Sequence, residues 1–226
     1  MLKELIDKFY LDQQGHRDQI KFYVTDAGKC QRSVFFKLKS VPREKIDARI
    51  MRIFEQGEQL HRHIFNVLYK LRIGVTTEIS IPPQKMVSGR ADAILCLNGE
   101  NYVLDIKSMN SMIFRKLTTP KPENIYQMQL YLHFFDIKKG ILLYIDKDRQ
   151  ELKEFVVDYD KKLVETLLDG FKELKVKIEK DIVPGVLVDY PRNWQCRYCA
   201  FRTVCDSAGR DEVKWLDFKK KIGEVE

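Results

Sequence analysis

Apolar positions along this chain repeat with two different periods. Residues 2 to 13 and 44 to 72 carry them at helical spacing, and the second stretch is long enough to cross a domain. Glu78 to Ile81 is a short extended piece stopped by Pro82-Pro83. From Gly89 to Asn110 the period falls to two: Ala91, Ala93, Leu95 and Leu97, then Tyr102, Leu104 and Ile106, with Asn98-Gly99 between the runs. Both central residues of a type I′ turn need positive φ, which Asn-Gly supplies, so a hairpin is predicted. A loop from Met109 to Pro122 follows, then a helix opened by Pro122 and reading ENIYQMQLYLHFFDIK. Strands GILLYID and ELKEFVVD form a second hairpin, and a long amphipathic helix runs from about Lys161 to Asp181. Helix, strands, helix, strands, helix implies a mixed sheet with helices on its faces.

The first hairpin carries chemistry on its other face. Side chains alternate along a strand, which puts Arg90, Asp92, Asp105 and Lys107 together, with Asp92 opposite Asp105. Opposed carboxylates repel and destabilise a sheet unless a cation sits between them. The arrangement predicts a divalent-metal site. On the following helix Gln127 and Tyr131 lie four residues apart and share a face. Gln129 and His133 have the same spacing, so the register stays open. Late in the long central helix come Gly57, His61 and His63, the two histidines pointing about 160° apart.

Composition narrows the class. With 226 residues, 44% hydrophobic and 32% charged, the chain is neither disordered nor membrane-spanning, and no apolar run approaches the ~20 residues of a membrane helix. The start, MLKELIDKFYLDQ, lacks the apolar core of a signal peptide, so a cytoplasmic protein is expected. A net charge of +7 suits a polyanionic partner. Five cysteines in a reducing compartment read as metal ligands, catalytic thiols or core filler. Cys196, Cys199 and Cys205 form a compact group whose fourth member must be distant, and Cys30 is the candidate. Cys96 reads as packing.

Asp92, a turn, then Asp105-Ile106-Lys107 resembles the active-site hairpin of the PD-(D/E)xK nucleases. Gln127/Tyr131 after it and Gly57-x-x-x-His61 before it are similar to elements of the RecB-like branch. Cys30 with the three C-terminal cysteines resembles the iron–sulfur staple of its AddB and CRISPR-associated (fourth Cas protein) exonucleases. Gln31 departs from the usual Cys-Pro-Arg element. The resemblance implies a mixed α/β (α+β) restriction-endonuclease-like core. It spans a single nuclease domain: residues 25–190 catalytic, 191–210 an iron–sulfur segment joined by Cys30, and 211–226 a basic tail.

The same resemblance implies Mg2+ or Mn2+ on His61, Asp92, Asp105 and the Ile106 carbonyl, with Lys107 orienting or deprotonating the attacking water. Glu78 is a weaker candidate to hold a water or a ligand. Gln127 and Tyr131 would place the strand, and Arg115, Lys116 and Lys121 would contact its backbone. Cys30, Cys196, Cys199 and Cys205 would hold a 4Fe–4S cluster, zinc being the alternative, with Trp194, Tyr198 and Phe201 as its shield. The implied activity is exonucleolytic cleavage of single-stranded DNA ends in CRISPR adaptation, with integrase proteins as partners. The alternatives are a viral or repair exonuclease, or a catalytically idle iron–sulfur DNA-binding subunit.

Overall fold

The computed structural model describes residues 1–15 and 18–223. In chain order the helices are α1 (Leu2–Asp12), α2 (Gln31–Leu38), α3 (Ala48–Lys70), α4 (Ser111–Lys116), α5 (Pro122–Phe135), α6 (Lys161–Glu179), α7 (Trp194–Arg197), α8 (Arg202–Ser207) and α9 (Trp215–Lys221). The strands are β1 (Phe22–Tyr23), β2 (Gly74–Ser80), β3 (Val87–Ser88), β4 (Arg90–Leu97), β5 (Glu100–Met109), β6 (Lys139–Asp146), β7 (Leu152–Asp158), β8 (Ile182–Val183) and β9 (Val213–Lys214). They fall into two compact units. One contains residues 1–13, 23–25 and 46–164, the other 14–22, 26–45 and 165–226.

The first unit is built on a mixed sheet ordered β2-β4-β5-β6-β7, in which only β5 and β6 run parallel. Asn98 and Gly99 hold φ of 51° and 82°, the left-handed values that the hairpin turn requires. The turn sets the register: Leu97 faces Glu100 and Ala93 faces Leu104. One face buries Ala93, Leu95, Leu104, Ile106, Ile141 and Ile145 against Leu60, Ile64, Phe65 and Leu68 of α3. Asp47 caps α3 by accepting the Arg49 N–H, and Pro122 opens α5 where no intrahelical donor is needed. Met128 of α5 is fully buried over Gly140 of β6, where an added Cβ would come within 2.2 Å of its sulfur. That close approach fixes α5 against the sheet.

The second unit packs aromatic side chains. Phe36 stacks on Phe218 at 4.9 Å and meets Phe201 edge-on, while Phe35 meets Trp215. Arg32, 1% exposed, is its polar centre: the guanidinium donates to the carbonyls of Pro184, Gly209 and Asp211 and, more weakly, Cys205. Helix α2, which the hydrophobic pattern did not predict, exists to present that arginine and the two phenylalanines.

Candidate active site

The polar face of the β4–β5 hairpin and one turn of α5 assemble a connected network. Lys107 Nζ lies 2.7 Å from Asp105 Oδ2 and donates to Gln127 Oε1 at 3.2 Å. Gln127 Nε2 is shared between Asp105 Oδ1 at 3.3 Å and the Tyr131 hydroxyl at 3.2 Å. Tyr131 in turn donates to the Arg90 carbonyl at 2.7 Å. Gln127 and Tyr131 are therefore the register of α5 that faces the hairpin. Gln129 is spent elsewhere, bonding the Asp158 carbonyl and the Asp160 amide. His133 faces Tyr159.

Asp92 departs from the expected geometry in an informative way. Described pairing between β4 and β5 stops at Ala93–Leu104, so the two strands fork one residue before the carboxylates would meet. Asp92 Oδ2 enters the fork and accepts the Ile106 N–H at 2.6 Å, replacing the missing backbone acceptor. Its other oxygen lies 3.5 Å from His61 Nδ1 on α3. His63 is exposed. Glu78, at φ 55° in β2, pairs with Arg90 at 3.2 Å beside the site.

Burial shapes the electrostatics. Asp105 is 2% exposed, and that burial pushes its carboxyl up to about 6, with Lys107 only partly offsetting it and Asp92 adding to it. Its Oδ2 forms a close, buried ion pair with Lys107 Nζ. Burial alone would lower Lys107, but the Asp105 charge outweighs it and holds the ammonium above its usual range. Lys107 is thus held in its charged form. Burial would likewise lower His61, and Asp92 outweighs it to raise the imidazole. The site offers one buried cation and two groups, Asp105 and His61, that exchange protons nearer neutrality than a free carboxylate does.

Two supporting residues, Tyr144 and Gly89, were not legible in the sequence. Tyr144, fully buried, accepts from the Lys121 amide and the Asn124 side chain and so seats the start of α5. An added Cβ at Gly89 would lie 2.7 Å from Val24 and 3.1 Å from Tyr131, so this glycine makes room for the tyrosine. Of the expected backbone contacts, Arg115 and Lys116 are exposed at the end of α4 and Lys121 is half-buried.

The expected metals are corrected. Among the described residues no group of three or more His, Cys, Asp or Glu side chains is placed to hold a metal ion. The Mg2+ or Mn2+ expected on His61, Asp92, Asp105 and Ile106 does not fit. Asp92 is committed to an amide and an imidazole, and Asp105 to a lysine and a glutamine. The 4Fe–4S cluster, or zinc, expected on Cys30, Cys196, Cys199 and Cys205 does not fit either. These four free thiols line one cavity of about 270 Å³ with Arg32, Phe36 and Phe201. Burial pushes the Cys30, Cys196 and Cys199 thiols up. Phe201 is buried, and Trp194 and Tyr198, though largely exposed, line the same cavity as the thiols. Cys96, expected in packing, is exposed.

The fork, the Asp-x-Lys strand and the helix that answers it define a nuclease fold. The sequence pattern of the PD-(D/E)XK nuclease superfamily matches residues 19–206, and the chain belongs to that superfamily. It is 28% identical over 219 residues to the CRISPR-associated exonuclease Cas4 of Saccharolobus solfataricus, covering 91% of this chain and 98% of that one. The crystal structure of SSO0001 superposes with a TM-score of 0.57 at 26% identity, over 91% of this chain and 96% of that one. In fold it is also similar to the alkaline exonuclease LHK-Exo of Laribacter hongkongensis. That match has a TM-score of 0.53 and 20% identity, covering 78% of this chain and 94% of that one. No described helix is long and apolar enough to cross a membrane.

Proposed function

We propose that this chain is a deoxyribonuclease that removes nucleotides from single-stranded DNA ends, and that it trims DNA ends in CRISPR adaptation. The observation that carries the reading is the Asp105–Lys107–Gln127–Tyr131 network beside the Asp92–His61 pair. Similarity to a CRISPR-associated exonuclease over nearly the whole chain supports the biological setting.

Each residue has a distinct task in this reading. Lys107, the fixed cation, offsets negative charge growing on the attacked phosphate. Gln127 holds Lys107 and Asp105 in place while Tyr131 locks α5 to the hairpin. Asp105 and His61 are the groups able to take the proton of the attacking water. Arg115 and Lys116 bind phosphates without reading sequence.

End dependence is the testable core. The same single strand is offered in linear and in covalently closed circular form, in buffers with and without divalent salts. Linear DNA should shorten while circular DNA persists. Equal loss of both forms would make the enzyme an endonuclease and overturn the end-trimming assignment.

A further inference from the structure

The second unit carries an exposed surface that the active site does not use. Trp194 and Tyr198 are 51% and 86% exposed, an uncommon state for large aromatic side chains. They alternate with exposed Arg192 and Arg197 in one short segment. Among the described residues neither arginine has an ion-pair partner, and Asp189, the one nearby carboxylate in the segment, is occupied by the Asn193 side chain. Lys29 adds a cation 5.2 Å from the Trp194 ring centroid. No ring or cation stacks on Tyr198 among the described residues, so its π-face is open to a ligand.

We propose that this surface binds single-stranded DNA, Tyr198 and Trp194 stacking on bases while Arg192, Arg197 and Lys29 meet the phosphates. Aromatic rings bind any base through its π-face, and unpaired cations follow the backbone. Together these features select an unpaired strand irrespective of sequence. Both rings line one cavity, and the unpaired Arg192 and Arg197 beside them in the chain favour a polyanion over a protein partner. The proposal rests on the nuclease reading and adds a second contact surface outside the catalytic unit.

The test is affinity for a short dT oligonucleotide, for an abasic oligonucleotide of equal length, and cleavage of the former. Tyr198→Ala removes a side chain that is almost wholly in solvent, so folding is not at issue. It should weaken dT binding roughly tenfold, the loss expected for one stacked base. Binding of the abasic strand should barely change. Arg197→Ala should weaken both strands and reduce the salt slope by about 0.7, one phosphate contact on a single strand.

Unchanged dT affinity in the Tyr198→Ala, Trp194→Ala double variant would overturn the proposal, as would equal wild-type affinity for dT and abasic strands. In either case continued cleavage by the wild type leaves the nuclease reading standing. A wild type that binds dT with this stacking signature but cleaves nothing would instead overturn the nuclease reading.

Discussion

Replacing Asp105 by asparagine should destroy activity and stabilise the protein. Burial raises the Asp105 carboxyl from 3.8 to about 6, so the folded state holds its proton more tightly than the unfolded chain does. Between those two values the folded form binds more protons, and stability falls as pH rises. The cost is absent below 3.8 and complete above about 6, the reverse of an ordinary salt-bridged aspartate. A shift of about two units corresponds to roughly 3 kcal/mol. Asparagine mimics the protonated acid and leaves Lys107 beside a neutral group, so Asp105→Asn should gain on the order of 3 kcal/mol at pH 7.5 and nearly nothing at pH 3.5. For a chain of this size that is a rise in melting temperature of about 6–12 °C at the higher pH.

Both tryptophans, Trp194 and Trp215, lie in the second unit, so a probe within the first unit is used. Hydrogen exchange at β5 amides, with far-UV circular dichroism melts at the two pH values, is the appropriate assay. A variant no more stable than wild type at pH 7.5, or one equally stabilised at both pH values, would refute the burial argument.

Gly89→Ala should push Tyr131 off the Arg90 carbonyl and lower cleavage by about tenfold or more with the fold retained, a loss that spectroscopy and single-turnover rates would separate. Arg32→Met strands the buried Pro184 carbonyl and two part-buried ones and should cost about 1–3 kcal/mol, read from tryptophan fluorescence during urea unfolding. Asp146→Ala should lower the unfolding midpoint at neutral pH. Burial alone would raise the Asp146 carboxyl, but the Ser111 hydroxyl and the Asp148 and Arg149 amides outweigh it and hold it below 3.8. Its contribution is therefore complete above 3.8 and lost as pH falls below that value, so the deficit of the variant should shrink in acid.

The hairpin could be read from the chain because its information is local. Asn98-Gly99 demands the turn, the turn demands the register, and the register carries Lys107 to the same face as Asp105. Helical spacing pairs Gln127 with Tyr131 but equally Gln129 with His133, so the register became visible only in the hydrogen bonds of α5. The fork was not legible: period-two alternation continues past Ala93, and only the Asp92 bond to the Ile106 amide shows where pairing ends. Arg32 is the opposite case to the turn, with partners more than 150 residues away that no spacing rule can assign. The cysteines show how spacing misleads. Topology gathers all four around one cavity, yet among the described residues no group of three or more is placed to hold a metal ion. Asp146 is another case that spacing does not reveal: an aspartate at the end of a strand is usually solvated, whereas this one is fully buried and accepts from a hydroxyl and two amides.

The central claim is that Lys107, held as a cation by Asp105, makes this site a nuclease. Lys107→Met keeps the buried volume and removes only the charge, and the decisive measurement is its single-turnover rate on a labelled single strand beside its affinity for that strand. The account predicts a rate at least about 100-fold lower, the usual loss for one electrostatic contact to the reacting group, with affinity within a few-fold of wild type. Turnover within a few-fold of wild type would contradict it.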